Sequence, residues 1–197
     1  MNDTLTIAGL ATTPLELIAF ILAVITVVLN IRQTHWAWLF SIISSAIYAV
    51  VFFDVRLYGD MGLQFVFIAV SVWGWSQWLR GVGDAPLAAR WLKPSGRAWS
   101  LAAWLAGFVL LSAFLANFTN TDVPHADGFL TAGSLVGQLL LARKKVENWI
   151  VWIVVDVLYV VLYVYKGLML TAVLYGVFVV LAWIGFLTWS KLAREDA

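Results

Sequence analysis

The chain has 197 residues, of which 63% are hydrophobic and 12% are charged, and its formal net charge is +1. Soluble domains carry roughly 25% charged residues, so this composition excludes an ordinary soluble fold and indicates an integral membrane protein. The absence of cysteine also excludes disulfides, thiolate metal sites and cysteine nucleophiles.

Seven apolar segments follow one another along the chain, most of them close to the ~20 residues that cross a hydrocarbon core. We predict membrane helices at 14–31, 36–53, 61–79, 98–116, 128–142, 147–165 and 168–189. No basic run precedes the first segment, so we expect no cleavable signal peptide. The fifth segment is the shortest, because Thr131, Ser134 and Gln138 dilute its apolar run.

The lysines and arginines are distributed unevenly between the two sides of the predicted membrane protein. If successive loops alternate sides, ten of the twelve share one side, and Arg56 and Lys166 lie on the other. The positive-inside rule then places the C-terminus in the cytoplasm and the N-terminus outside. Flanking charges of this kind usually set topology, so the basic stretch at 80–97 does not lead us to expect a nucleic-acid partner.

An internal repeat appears when the sequence is aligned with itself at a constant shift of 111 residues. Identical residues match without a gap, as in the pairs Trp38 and Trp149, Tyr48 and Tyr159, Gly74 and Gly185, and Trp78 and Trp189. We therefore predict an all-α membrane protein with three-helix repeats at 14–79 and 128–190, joined by a loop and linker helix within 80–127. The single linker helix makes the two repeats parallel in this 3+1+3 arrangement.

A stripe of polar and aromatic residues runs along the predicted sixth helix, which otherwise consists mostly of isoleucine, valine and leucine. Its members are three and four residues apart and share one helix face: Trp149, Trp152, Asp156, Tyr159 and Tyr163. An aspartate at mid-span costs about 2.5–3.5 kcal/mol on insertion scales. We therefore expect Asp156 to face a hydrated or occupied cavity. The alternative is a structural role, with the carboxyl protonated or bonded to neighbouring hydroxyls.

The predicted second helix carries a matching face, which includes Trp38 and Tyr48 and has serines where the sixth helix has its second tryptophan and its aspartate. Gln64 and Gln138 lie in the third and fifth helices, where an amide needs partners for all its donors and acceptors. Helix packing alone is the alternative for the aromatic residues. Aromatic faces and a carboxylate suit a flat cation, each cation–π contact being worth about 0.5–2 kcal/mol. The residues thus predict a transporter for a cationic or aromatic solute with polar groups.

Other functional classes lack the residues that they need. The two histidines, His35 and His125, are far apart in sequence and no cysteine accompanies them, so we predict neither an enzyme nor a metal site, and expect no cofactor. A phosphate-binding loop for ATP-driven pumping is absent from the sequence. Proton coupling through Asp156 stays open, because intramembrane acids serve as relays.

The segment "ENWIVWIVVDVLYVVLYVYKGLMLTAVLYGVFVVLAWIGFLTW" at 147–189 closely resembles the C-terminal signature of the PnuC family of bacterial nicotinamide riboside transporters. The segment "YGDMGLQ" at 58–64 resembles the first-half signature of the same family. The resemblance implies an inner-membrane protein with a 3+1+3 fold related to the SWEET sugar transporters and assembled as a homotrimer. It also implies uptake of nicotinamide riboside by facilitated diffusion, with trapping by cytoplasmic phosphorylation.

The resemblance also implies substrate-binding roles for the residues that match the family motif, Asn148, Trp149 and Trp152. The helix-face pattern adds further candidates: Gln64, Gln138, Asp156, Tyr159, Trp38 and Tyr48. We expect the substrate ring near mid-bilayer, between Trp149, Trp152 and their first-half counterparts. Related proteins carry thiamine, also a flat aromatic cation, so thiamine or another cationic aromatic vitamin is the alternative substrate. The amides favour the riboside, whose ribose has vicinal hydroxyls.

Overall fold

The computed structural model describes residues 5–7, 10–12, 14–54, 58–81, 86–119, 121–165, 167 and 169–195. Within this part the helices are α1 Pro14–Ile31, α2 Ala37–Asp54, α3 Tyr58–Arg80, α4 Pro94–Phe118, α5 Pro124–Ala142, α6 Glu147–Tyr165 and α7 Met169–Glu195. Ahead of them a short antiparallel hairpin pairs β1 (Leu5–Ile7) with β2 (Leu10–Thr12). The predicted number of seven helices is confirmed within the described residues, and the hairpin is an addition to it. That all seven cross the membrane stays a prediction.

The helices α4 and α5 begin earlier than the apolar pattern predicts. Pro94 opens α4 and Pro124 opens α5, because the first helical position does not need the N–H that proline lacks. The first turn of α5 also holds Asp127, whose charge suits the positive end of the helix dipole. Polar first turns of this kind do not register in a search for apolar residues.

The outer surface of the bundle is apolar. Val109, Leu110, Val161 and Val173 are each more than 60% exposed. Among the described residues, Pro94–Phe118, Glu147–Tyr165 and Thr171–Glu195 form helices both long and apolar enough to cross a membrane, and shorter apolar helices lie at Phe20–Ile31 and Ala37–Val50. An apolar exterior of this extent fits contact with lipid rather than water.

Six helices form a closed ring. In this ring α1 packs against α2, α2 against α3, α3 against α5, α5 against α6, α6 against α7, and α7 against α1. The pairing within α1–α3 therefore recurs within α5–α7, and the two halves meet at an α3–α5 seam and an α1–α7 seam. The helix α4 packs mainly against α5, outside the ring.

The helices α1, α3, α5 and α7 end at the same end of the ring. A side chain near the end of α7 bonds the last carbonyl of α1, and one near the end of α3 bonds a carbonyl at the end of α5. We call this the basic end, because its helix ends and turns carry most of the cations, including Arg32, Arg80 and Arg143. The two cations expected on the other side, Arg56 and Lys166, lie outside the described residues. The cytoplasmic orientation of the basic end stays a prediction.

The loop before α4 is fixed to the basic end through the turn between α5 and α6. The backbone N–H of Arg90 donates to the carbonyl of Lys144 at 3.0 Å. The Glu147 carboxylate accepts the N–H of Leu92 at 3.1 and 3.0 Å and the Nε–H of Arg97 at 2.9 Å. Glu147 is itself buried in the first turn of α6. The segment that connects the two halves is thereby docked beside the start of the polar and aromatic stripe.

Candidate functional site

Four tryptophans, two from each half, pack together inside the basic end. Trp38 meets Trp78 edge-on, with ring centroids 5.4 Å apart at 87°, and Trp149 meets Trp189 in the same way at 5.4 Å and 86°. The rings of Trp78 and Trp189 lie 6.1 Å apart and join the two pairs. All four residues are at most 8% exposed. We call this group the tryptophan cluster.

A glycine makes room for one ring of each pair. A Cβ added at Gly74 would lie 2.5 Å from the Trp38 ring, and one added at Gly185 would lie 2.6 Å from the Trp149 ring. Contacts this short require the ring to move. The close approach of α2 to α3 and of α6 to α7 at this level therefore depends on glycine.

The other two rings of the cluster join the two halves of the chain. The indole N–H of Trp78 donates to the carbonyl of Leu141 in α5 at 3.3 Å. The indole N–H of Trp189 donates to the carbonyl of Ile31 in α1 at 3.1 Å. Both acceptors lie in the last turn of a helix, where carbonyls have no partner within the helix. Each seam of the ring therefore has one tryptophan hydrogen bond at the basic end.

A third bond between the halves joins Lys144 and Gln33, which are 111 residues apart. Both have a left-handed backbone, with φ of 48° and 54°, a conformation that is uncommon outside glycine. Lys144 Nζ donates to Gln33 Oε1 at 2.9 Å and lies 4.6 Å from the centroid of the Trp78 ring. Burial lowers the pKa of Lys144 to about 8, because desolvation disfavours the charged amine. A buried amine thus lies against the Trp78 ring of the tryptophan cluster.

Polar side chains from three helices meet one to two turns in from the basic end. The hydroxyls of Ser41 in α2 and Ser71 in α3 are 3.0 Å apart, and Gln138 Nε2 in α5 donates to Ser71 Oγ at 3.3 Å. Ser71 is 0% exposed and Gln138 is 7% exposed. We call this group the polar layer. It crosses the α3–α5 seam and so links the two halves through side chains.

Tyrosines from α6 and α7 pack together in the half of the ring away from the basic end. The rings of Tyr159 and Tyr163 lie 4.7 and 5.2 Å from the ring of Tyr175 and 5.7 Å from each other. Tyr175 also meets Phe178 edge-on at 5.6 Å. We call this group the tyrosine cluster. Along α6, Asp156 lies between the tryptophan cluster and the tyrosine cluster and is 5% exposed.

The stripe on α6 faces into the ring, as its spacing predicts. Its members are buried or half-buried, whereas Val157, Val161 and Val164 on the other side of the helix are 43%, 61% and 48% exposed. Trp149, however, lies in the first turn of α6 and belongs to the tryptophan cluster. The pattern indicates a face and not a level along the helix, so the expected place of Trp149 beside a substrate ring near mid-bilayer stays a prediction.

The predicted site residues lie at several levels of the ring. Trp38 and Trp149 lie in the tryptophan cluster, Gln138 in the polar layer and Tyr159 in the tyrosine cluster. Trp152 is half-buried and packs where α5 has Gly137, from which an added Cβ would lie 3.1 Å from its indole. Of the remaining residues, Gln64 in α3 and Tyr48 in α2 are half-buried, whereas Asn148 and Asp156 in α6 are buried.

Three of these residues carry buried polar atoms without a hydrogen-bond partner in the described part of the chain: Asn148 Oδ1, Trp38 Nε1 and Trp149 Nε1. Asn148 is 0% exposed, and its Nδ2 donates to the carbonyl of Lys145 at 2.6 Å. An unpaired buried polar group costs about 1–3 kcal/mol. Such atoms are places where a ligand or an ordered water is needed to complete the hydrogen bonding.

Sequence reasoning missed the contact between Lys144 and Gln33. The self-alignment contains the signal, because the constant shift of 111 residues places Gln33 on Lys144. The four-ring packing was missed as well, although the same shift pairs its members. In both cases the alignment matches positions in the two halves, and the structure brings two matched pairs into contact, Gln33 with Lys144 and Trp78 with Trp189.

Comparison with known proteins adds to this geometry. A family model described as "Nicotinamide mononucleotide transporter" matches residues 13–191. The chain belongs to this transporter family. The nicotinamide riboside transporter PnuC of Escherichia coli (strain K12) is 28% identical over 185 residues, which cover 80% of this chain and 77% of that protein. The resemblance to PnuC that the sequence motifs indicate is thereby confirmed.

Two further relatives of this PnuC-family chain bear on fold and substrate. A solved structure, the crystal structure of the vitamin B3 transporter PnuC, matches with a TM-score of 0.75 and 25% identity, covering 93% of this chain and 83% of the other. The riboflavin/roseoflavin transporter RibM of Streptomyces davaonensis is 27% identical over 186 residues, covering 92% of this chain and 87% of RibM. This chain is thus an integral membrane transporter with the PnuC fold.

Proposed function

We propose that this chain imports nicotinamide riboside across the bacterial inner membrane. The observation that carries the proposal is the position of Asp156, a buried carboxyl halfway along α6, between two clusters of aromatic rings. Nicotinamide riboside joins a flat pyridinium cation to a ribose. Aromatic faces and a carboxylate stabilise such a cation, and hydroxyl and amide groups of the polar layer suit the ribose hydroxyls.

Each predicted site residue has a role in this proposal. Asp156 balances the charge of the pyridinium ring, while Trp152 and Tyr159 flank that ring. Three amide side chains hydrogen-bond the ribose hydroxyls: Gln138, Gln64 and Asn148. The Oδ1 atom of Asn148 has no protein partner among the described residues. Trp149, Trp38 and Tyr48 complete the aromatic lining at the levels where the structure places them.

The proposed mechanism uses two parallel three-helix repeats in a 3+1+3 arrangement related to the SWEET transporters, at 14–79 and 128–190 with the linker at 80–127. The repeats rock against each other at the α3–α5 and α1–α7 seams. Matching pairing within the two halves and the matched Trp–Gly contacts support this proposal. The chain forms a homotrimer with its N-terminus outside and its C-terminus in the cytoplasm. Uptake is facilitated diffusion, trapped by phosphorylation inside the cell.

Riboflavin is the second candidate, because the similarity to RibM covers 92% of this chain. The isoalloxazine ring of riboflavin is uncharged at neutral pH, so its binding does not require a carboxylate. Thiamine, like nicotinamide riboside, is a cation. The dependence of binding on Asp156 therefore separates the cationic candidates from riboflavin, and direct comparison of affinities separates the two cations.

The test is calorimetric titration of the purified chain and its Asp156→Asn variant with nicotinamide riboside, thiamine and riboflavin. We expect the riboside to bind tightest to the wild type. A hydrogen-bonded or close contact with a charged group is worth about 1.5–3 kcal/mol, so the substitution should weaken riboside binding at least about tenfold and leave the riboflavin titration unchanged.

The control for this experiment is Asp122→Asn, which changes an exposed carboxylate in the loop before α5 and should bind all three compounds like the wild type. Tight riboflavin binding without riboside binding would replace the proposed substrate. Unchanged riboside affinity in the folded Asp156→Asn variant would refute the role given to Asp156.

A further inference from the structure

A cavity of about 410 Å³ lies at the basic end between the loop before α4 and the last turns of α7. It is lined by Trp91, Phe186, Leu187, Ser190, Lys191, Arg194 and Glu195. The rings of Trp91 and Phe186 meet edge-on at 6.1 Å and form its aromatic wall. None of the residues proposed to bind the transported substrate lines it, so we treat it as a separate site, the α7 pocket.

One side of the α7 pocket continues into the apolar outer surface of α7. Val180, Ile184 and Leu187 are 59%, 44% and 53% exposed, and their spacing places them on one face of the helix. Lys191 follows four residues after Leu187, on the same face. In a bilayer this surface contacts acyl chains, so the pocket opens where this lipid-covered stripe reaches the basic end.

The other side of the α7 pocket carries two cations, one carboxylate and a buried hydroxyl, so its net charge is positive. Lys191 pairs with Glu195 at 3.9 Å, but their side chains are 80% and 58% exposed, and such exposed pairs are weak. Arg194 is also exposed. Ser190 is 8% exposed, and its Oγ has no hydrogen-bond partner within the described residues. Two cations and a hydroxyl donor suit the oxygens of a phosphate group.

The length of α7 places this basic side at the level of lipid headgroups. The helix has 27 residues, which at ~1.5 Å per residue make about 40 Å. The hydrocarbon core of a bilayer is about 30 Å thick. The helix therefore exceeds the core by about 10 Å. Its last turns, with Ser190, Lys191 and Arg194, carry charges that are costly among acyl chains, so we infer that this end projects to the headgroups and that Trp91 lies where tryptophan is enriched at membrane interfaces.

We propose that the α7 pocket binds an anionic phospholipid, with the headgroup phosphate at Ser190, Lys191 and Arg194 and one acyl chain along Leu187. A soluble phosphate ester offers the same phosphate chemistry. The lipid is favoured because the pocket joins an apolar stripe that a small soluble ester leaves uncovered. Basic pockets between helices on the cytoplasmic side of membrane proteins recognise lipid headgroups in this way.

The test is native mass spectrometry of the full chain in a neutral detergent, titrated with phosphatidylglycerol, phosphatidylcholine or glycerol 3-phosphate. Phosphatidylglycerol should bind tightest. The variant Lys191→Gln/Arg194→Gln should lose phosphatidylglycerol affinity on the order of tenfold, since basic residues near a membrane each attract anionic lipid. Ser190→Ala should cause a smaller loss in the same direction.

The matched control is Arg80→Gln/Lys93→Gln, which removes two exposed cations at the same end but outside the pocket and should keep full affinity. Equal binding of both phospholipids, or an equal loss in the control, would overturn the proposal. Binding of glycerol 3-phosphate as tight as that of the lipid would assign the pocket to soluble phosphates instead. Riboside binding by each variant is measured in parallel, so failure here is distinguishable from failure of the proposed transport function.

Discussion

Lys144 lies in a run of three basic residues, where the sequence gives no reason to separate it from Arg143 and Lys145. The structure separates them, because Lys144 is 7% exposed and turned onto the Trp78 ring, while Arg143 is exposed. A lysine buried beside an amide oxygen and an aromatic ring, rather than a carboxylate, keeps its desolvation cost. The positive-inside count treats Lys144 as a surface charge, but its side chain is buried in the protein.

The burial of Lys144 predicts a pH dependence of stability. Its pKa falls from 10.5 to about 8 on folding, so the unfolded chain binds more protons between these values and stability rises with pH through this window. Below about pH 8 the amine is charged in the folded chain, which then bears the full free-energy cost of burying that charge. In thermal unfolding scans from neutral pH to pH 10.5, the wild type should gain stability relative to Lys144→Met. The neighbouring variant Lys145→Met should follow the wild-type profile, and an identical profile for Lys144→Met would contradict the prediction.

At the scale of the helix, glycines that look alike in sequence have different surroundings. The sequence allows Gly176 and Gly185 of α7 to be either close-approach positions or passive ones. The structure shows the Trp149 ring against Gly185, whereas an added Cβ at Gly176 meets nothing within 4 Å. One helix therefore offers a tight position and an open position for the same substitution.

We expect Gly185→Ala to destabilise the chain by about 1–3 kcal/mol, because the added methyl overpacks the site against a ring that is held by its neighbours. Gly176→Ala should be neutral or slightly stabilising, since alanine in a helix is favoured over glycine by about 0.5–1 kcal/mol. Thermal unfolding in detergent compares the two variants with the wild type. Equal unfolding temperatures for both would show that the Trp149 ring yields at no cost.

Hydrophobic pattern predicts the helices better than it predicts their ends or their levels. The bounds of α1 and α6 match the apolar segments, whereas α5 gains a turn from Pro124 onward that is polar and so invisible to the pattern. The strands β1 and β2 have three residues each, too few to show an alternating period. On α6 the period identified the inward face, whereas the level of Trp149 follows from where the helix begins, which the period does not indicate.

At the scale of the whole molecule, the two halves are joined at the basic end by a small set of bonds. The indole N–H groups of Trp78 and Trp189 each reach a carbonyl of the other half, and Lys144 reaches Gln33. The carbonyl partners of the two indoles could not be predicted from the sequence, because a backbone carbonyl has no residue signature. Any motion that opens the basic end by separating the seams has to break these bonds.

Replacing the indole of Trp189 by phenylalanine removes one of these bonds while keeping an aromatic ring. Because the chain has no cysteine, Ser45→Cys introduces a single thiol at a position that is 9% exposed in α2. A hydrogen bond contributes about 1 kcal/mol, so in this background Trp189→Phe should raise the rate of thiol alkylation from the basic end about fivefold. A charged reagent that does not cross the membrane reports the side of access.

Trp99→Phe is the matched control for this prediction, since Trp99 is 76% exposed on α4 and lies outside the ring. It should leave the alkylation rate unchanged. If Trp189→Phe also leaves it unchanged, the basic end does not open by separating the α1–α7 seam.

Added riboside should slow the alkylation in both variants. The sequence repeat matches Ser45 to Asp156, so a riboside bound at Asp156, as proposed, lies at the level of the introduced thiol and shields it. If the alkylation rate rises only in Trp189→Phe and falls when riboside is added, the α1–α7 seam opens onto the path that the substrate occupies.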